Sequence, residues 1–243
     1  MTDDDLQQLR RLFEVMELLR APGGCPWDRA QTHQTLLPFL LEETYETIQA
    51  AEEGSSQDLA EELGDLLIEV AMHSAIAAEA GTFDIGMVAR MATEKMVSRH
   101  PHVFANLEVA GVSEVIDNWE ELKRREKPDR ESALDGIPTA LPALALASAI
   151  LRRQERGHLQ SAKAQADPAE LACAALTRLL EGGDGDSSEI LVAELLFSVV
   201  ALARQRGVDP EGALRRAAAV HRQALRDAEV EARARDLRRS SES

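Results

Sequence analysis

Aromatic side chains are scarce in this chain: two Trp, one Tyr and five Phe in 243 residues, 3% of the whole. With so few of them, and with Ala and Leu dominant, the alternating β-branched and aromatic pattern of half-buried strands cannot be built, and helices are favoured. Cysteine is nearly absent. Cys25 and Cys173 are too few for a disulfide framework and suit a reducing compartment. Positive charge is also short, since 27 Lys and Arg face 43 Asp and Glu, a formal charge of −16. A surface this acidic excludes general attraction to nucleic acid, and any polyphosphate ligand would need metal ions and locally placed Lys or Arg. Long apolar runs are missing: the longest, Ala140 to Leu151, contains Pro142 and falls short of the ~20 residues of a membrane span. The opening MTDDDLQQLR is too acidic and polar for a signal peptide. The expectation is a soluble, cytoplasmic protein with no membrane or nucleic-acid partner.

What the chain does have is hydrophobic residue, 44% of it, at helical spacing. Leu9, Leu12, Phe13, Met16 and Leu19 predict a helix over 6–19. Residues 21–33, APGGCPWDRAQTH, predict a Pro/Gly loop. Further helices are predicted at about 35–53, 57–80, 85–99 and 113–127. Gly54-Ser55-Ser56 punctuates the second and third, with Ser55 as N-cap, and Pro101 forbids continuation of the fourth. Leu40, Leu41, Tyr45 and Ile48 have the spacing of a buried stripe. Residues 127–138, KPDRESALDGIP, read as a linker. The pattern then restarts: DLLIEVAMHSAIAAEAGTFD at 65–84 aligns with ELLFSVVALARQRGVD at 194–209, an offset of 125 to 129 residues. An internal duplication is the sharper reading; shared Ala/Leu composition is the blander one. The fold class is all-α, in two tandem helical-bundle domains, with 1–128, 129–137 and 138–243 as first domain, linker and second domain.

Acids crowd the second and third helices. Glu43 and Glu46 are three apart, as are Glu62 and Asp65, and residues three apart share a helix face. Sixteen residues lead from Glu46 to Glu62, enough to end one helix, turn and begin an antiparallel partner. All four carboxylates can then meet. Unpaired like charges ~4 Å apart repel by roughly 4 kcal/mol at an effective dielectric near 20. A divalent cation would relieve this, and oxygen-only ligands suit Mg²⁺ or Mn²⁺. The alternative is a solvated acidic face, which describes Glu42, Glu52, Glu53, Asp58 and Glu61. Against that alternative, Glu62-Leu-Gly-Asp65 runs straight into apolar sequence. Gly64 there costs about 1 kcal/mol relative to Ala, as if another backbone or a ligand came close.

Glu42-Glu43-x-x-Glu46 followed by Glu62-x-x-Asp65 resembles the metal motif of the MazG-type nucleoside triphosphate pyrophosphohydrolases. GCPWDRAQTH running to His33, RHPHVF at 99–104 and ALDGIPTALPAL at 133–144 also resemble segments of that family, in order and over nearly the whole chain. The resemblance implies hydrolysis of a nucleoside triphosphate to the monophosphate and pyrophosphate with Mg²⁺, and Mn²⁺ as a possible substitute. It implies Glu43, Glu46, Glu62 and Asp65 as metal ligands, and a homodimer. A carboxylate not fully used in ligation, Glu42 or Glu46, could take a proton from water. It further implies that Lys95, Arg99 and Lys123 bind phosphates and that Trp119 stacks on the base, which cations and an aromatic face can do. Without the family, Lys95 and Arg99 read as an exposed cationic face and Trp119 equally as core. Trp27 and Asp28 either line the substrate pocket or brace their loop. His33, His100 and His102 read as structural or surface residues.

The second copy departs from the motif. LACAALTRLL at 171–180 lies opposite Glu43 and Glu46 and holds no acid; Leu191-Val-Ala-Glu194 lies opposite Glu62 to Asp65; Val220 and Ala224 lie opposite Lys95 and Arg99. The expectation is a degenerate domain with a regulatory or scaffolding use. GGDGDSSE at 182–189 lacks the sixth-position Gly of a calcium loop and reads as a flexible loop. Two rival readings remain: a non-enzymatic nucleotide-binding or regulatory module, and a di-metal (di-iron) carboxylate bundle. The latter uses Glu-x-x-His motifs, and only Glu155-x-x-His158, with Gly157 between, has that spacing.

Overall fold

The computed structural model describes residues 1–126, 132–157, 166–182 and 185–241, and every regular element among them is a helix. Residues 127–131 of the expected linker lie outside them, as does His158. The chain divides into two compact units, Met1–Lys127 and Pro128–Ser243.

The first unit contains α1 (Asp3–Arg20), α2 (Pro26–Ala30), α3 (Leu37–Glu53), α4 (Ser56–Glu79), α5 (Ile85–Ser98), α6 (Pro101–Phe104) and α7 (Val112–Arg125). α1 starts earlier than its apolar spacing suggested. The Thr2 hydroxyl accepts from the Asp5 N–H while the Asp5 carboxylate accepts from the Thr2 N–H, a capping box. Three acids in the first turn also suit the positive end of the helix dipole. The loop expected over 21–33 contains a short helix, α2, which Pro26 at its start and Asp28 in its first turn favour. α3 ends at Gly54, whose φ of 78° is the left-handed conformation, and Ser55 then caps α4 by accepting from the Asp58 N–H at 3.2 Å. So short a turn folds α3 and α4 back as an antiparallel hairpin.

α4 is the centre of this unit, packed by α3, α1 and α5. Its middle is lined with small residues, Ala71, Ser74, Ala75 and Ala77, all buried, which lets neighbours come close. Met16 of α1, Leu36 and Met72 of α4 form the core with Leu12, Phe13, Leu19 and Ile68 around them. Leu36 is 2% exposed, and burying such a side chain contributes roughly 2 kcal/mol. The buried stripe expected on α3 is only partly formed: Leu41 is 58% and Tyr45 38% exposed, because α4 covers one side of α3 alone.

The second unit contains α8 (Ala143–Arg156), α9 (Pro168–Leu180), α10 (Gly185–Gln205) and α11 (Pro210–Ser241). α10 is central, packed by α9, α8 and α11. The plan matches that of the first unit: a hairpin whose second helix is central, one helix before it and one after. The loop expected over 182–189 is shorter than that, since α10 is already helical from Gly185; Asp, Ser and Glu are residue types that suit a helix start. Among the described residues no helix is long and apolar enough to cross a membrane.

Candidate active site

The α3–α4 hairpin brings three of the four predicted metal ligands together. Carboxylate oxygens of Glu43, Glu62 and Asp65 lie within 4.8 Å of one another. Glu46, one turn beyond Glu43, stands outside this trio but close enough for its charge to act on Glu43. Partial loss of water, then the charges of Asp65 and Glu46, raise the Glu43 carboxyl above its ordinary value. Partial loss of water, then Glu46 and Asp65, do the same to Glu62. Glu42 points to solvent, one residue off that face.

The hairpin is pinned beside these acids. Thr47 Oγ1 donates to the Glu43 carbonyl at 2.8 Å and lies 3.5 Å from the Glu62 carbonyl, so it sits where α3 and α4 pass each other. Sequence reasoning missed Thr47; its place between Glu43 and Ile48 was the available signal. Of the two approaches expected at Gly64, that of another backbone is absent: a Cβ built there meets no neighbouring element within 4 Å, so Gly64 opens to space between Glu62 and Asp65. The reason is that α3 crosses α4 on the acid face and leaves the Gly64 side uncovered.

Trp27 and Asp28 lie on α2. The Trp27 ring packs edge-on against Phe39 at 5.8 Å. Phe39, Glu43 and Glu46 have i, i+4, i+7 spacing, so Trp27 rests on the face of α3 that carries the acids. The loop is anchored by Arg20, 8% exposed. Its guanidinium donates to the Asp28 and Gln31 carbonyls and to both oxygens of Glu79, at 2.7 and 2.9 Å. That hydrogen bond holds the Glu79 carboxyl below its ordinary value. Beside it His33 and His73 stack, 2.7 Å apart between their Nδ1 atoms, one donating and the other accepting. Burial, then His33, lowers His73, whose Nε2 has no partner among the described residues. One turn earlier, the Glu69 carboxyl is 6% exposed with Oε2 unpartnered, and burial raises it.

The predicted phosphate and base residues lie elsewhere, on α5 and its C-cap and on α7. Lys95 is exposed in the last turn of α5. Arg99, the C-cap, is 9% exposed and grips Glu126. The His100 ring meets Trp119 edge-on at 5.0 Å. Lys123 lies half-buried one turn beyond Trp119.

In the second unit two of the positions opposite the acids are core. Leu191, opposite Glu62, is 2% exposed and Ala175, opposite Glu46, 3%. Glu194, opposite Asp65, faces Arg178 at 3.8 Å.

A helical hairpin that bears E-x-x-E and E-x-x-D on an all-α scaffold here brings three carboxylates together, an all-oxygen donor set of the kind a metal ion takes. Residues 31–104 match the family model of the MazG nucleotide pyrophosphohydrolase domain, a span that holds all four acids, Lys95 and Arg99 but neither α2 nor α7. The nucleoside triphosphate pyrophosphohydrolase/pyrophosphatase MazG of Thermotoga maritima is 42% identical over 210 residues, 85% of this chain and 79% of that one. The nucleoside triphosphate pyrophosphohydrolase of Escherichia coli K12 is 43% identical over 151 residues, 61% of this chain and 57% of that one. That of Mycobacterium tuberculosis is 36% identical over 197 residues, covering 79% of this chain and 57% of that one. The chain belongs to the MazG nucleotide pyrophosphohydrolase family.

Proposed function

We propose that this protein hydrolyses nucleoside triphosphates, NTP or dNTP, to the monophosphate and pyrophosphate, and that residues 1 to about 128 carry the chemistry. The observation that supports this is the convergent trio of Glu43, Glu62 and Asp65, where partial loss of water and then the neighbouring acidic charges raise the Glu43 and Glu62 carboxyls above their ordinary value. An all-oxygen donor set at this spacing fits Mg²⁺, with Mn²⁺ as substitute, held by these three and Glu46. Bound there, the cation neutralises triphosphate charge and acidifies the attacking water.

The chain's own residues do the rest. Lys95, Arg99 and Lys123 bind phosphate oxygens and balance charge that builds on the transferring group. Trp119 stacks on the base from one side without reading it. Trp27, seated on the acid-bearing face of α3, closes the pocket together with Asp28. Water attacks the α-phosphorus, the α–β anhydride bond breaks, and a carboxylate not fully used in ligation, Glu42 or Glu46, takes the proton. Buried Leu191 and Ala175 support the reading of the second unit as a degenerate domain that scaffolds or regulates. The exposed apolar residues Leu41, Tyr45, Leu63, Leu67 and Val70 on the hairpin support a homodimer. A cytoplasmic location fits the two free cysteines.

The test is a panel of NTPs and dNTPs with Mg²⁺, with products resolved. Monophosphate plus pyrophosphate, abolished by EDTA, is expected; diphosphate plus orthophosphate overturns the assignment.

A further inference from the structure

Three consecutive residues at and just past the end of α5 reach α7 and the residue that follows it, Glu126. Ser98 Oγ donates to Glu126 Oε1 at 3.1 Å. Arg99 Nε donates to both Glu126 oxygens, at 3.2 and 3.1 Å, and its Nη2 donates to Oε2. His100 sets its ring against Trp119. Trp119 and Glu126 are seven residues apart, two turns on one face of the α7 register, and Lys123 falls between them. The Arg99 side chain is 10% exposed, so its charge is largely withdrawn from water and needs a partner. Glu126 is that partner. An exposed Lys–Glu pair would contribute little; a guanidinium gripped through one planar edge is fixed in orientation as well as place.

We infer that Glu126 is a positioning residue: by holding the Nε–Nη2 edge of Arg99 it orients that guanidinium and fixes α7, with Trp119 and Lys123, against the end of α5 that carries Lys95. This rests on the proposed reading of Lys95, Arg99, Lys123 and Trp119 as the substrate-binding set. The grip leaves Nη1 of Arg99 out of the ion pair, so the same side chain braces α7 on one edge and offers donors to a phosphate on the other. Glu126 touches no substrate; it acts through Arg99.

The experiment uses the full chain, with Mg²⁺ and whichever NTP the parent turns over fastest. Glu126→Ala raises KM about tenfold, the scale of losing ~1.4 kcal/mol of ground-state and transition-state binding alike, and leaves kcat within about threefold. Glu126→Gln keeps the shape and part of the hydrogen bonding, and recovers part of that loss. Because Glu126 works through Arg99, adding Glu126→Ala to Arg99→Ala lowers kcat/KM by no more than about twofold further. In a Trp27→Phe background, Trp119 is the sole tryptophan, and Glu126→Ala shifts its emission to the red and increases its quenching by acrylamide at unchanged helical circular dichroism. If kcat/KM of Glu126→Ala stays within twofold of the parent, if the two substitutions act multiplicatively, or if Trp119 emission does not move, the inference is overturned. A parent that releases no pyrophosphate overturns the proposed function instead, and the emission measurement still decides whether Glu126 holds α7.

Discussion

Replacing Glu43 by Gln should make the metal-free protein more stable and the enzyme inert, and the two effects have one cause. Oxygens of Glu43 and Asp65 lie within 4.8 Å. At that separation two like charges repel by about 3.5 kcal/mol at an effective dielectric near 20, and by under about 1 kcal/mol in bulk water. The site is largely solvated, so the relief from removing one charge is taken as about 1 kcal/mol. For a chain of this size that raises Tm by roughly 2–4 °C, read by thermal unfolding in EDTA. The pH dependence has a definite sign. Glu43 is raised in the folded protein. Its penalty is therefore absent below the unfolded carboxylate value and grows as pH rises through the folded one. The gain from Glu43→Gln should be largest at neutral pH and vanish in acid. With Mg²⁺ the order inverts: the parent gains stability by binding the ion, the variant gains little, and turnover falls at least ~100-fold. The same loss in the full chain shows that the second unit supplies no activity of its own. A variant less stable than the parent in EDTA, or one that keeps near-normal turnover at saturating Mg²⁺, refutes the repulsion-and-metal reasoning.

Gly64→Ala should raise Tm, by about 1 kcal/mol of helix propensity, because a Cβ there meets no atom of the chain; a fall in Tm would mean that the hairpin surface is covered in solution. His73→Leu, which copies Leu202 at the corresponding place in α10, should flatten the pH dependence of stability. Burial lowers His73 below 6.5, so its contribution is complete above that value and is lost as pH falls below it. Glu69 works in the opposite sense, because its raised carboxyl loses stability as pH rises through the folded value. An unaltered Tm slope between about pH 7 and 5 in His73→Leu would refute the assignment. Arg20→Ala strands two carbonyls and Glu79 and should cost about 2–3 kcal/mol in denaturant unfolding; a loss under ~0.5 kcal/mol would show that water replaces it.

The helices and the acid trio were legible because their determinants are local. Ser55 and Gly54 write the hairpin turn into adjacent residues, and the three-residue spacings of Glu43/Glu46 and Glu62/Asp65 set the face. What joins distant segments was not legible. Arg20 meets Glu79 across 59 residues, His33 meets His73 across 40, and Arg99 meets Glu126 across 27. Nothing in the spacing of a lone Arg or His names such a partner. Arg99 shows the limit well: the family pattern marked it as a cation for phosphate, while its edge on Glu126 depends on where α7 lands. α2 was hidden for another reason, since five residues are too few to display a period.

The Arg20 anchor has a dynamic consequence. A five-residue helix has almost no stability of its own, because nucleation costs more than so few hydrogen bonds return. α2 persists because one guanidinium holds the carbonyl of Asp28 at its middle and that of Gln31 just past its C-terminal end, and ties them to the last turn of α4. Glu79 lies fourteen residues beyond Asp65, about 21 Å along the helix. The Trp27 segment therefore takes its rigidity from the far end of α4 while its ring rests beside Phe39. Its amides should exchange with solvent on the timescale of α4 opening, as part of one cooperative unit, and not as a surface loop would.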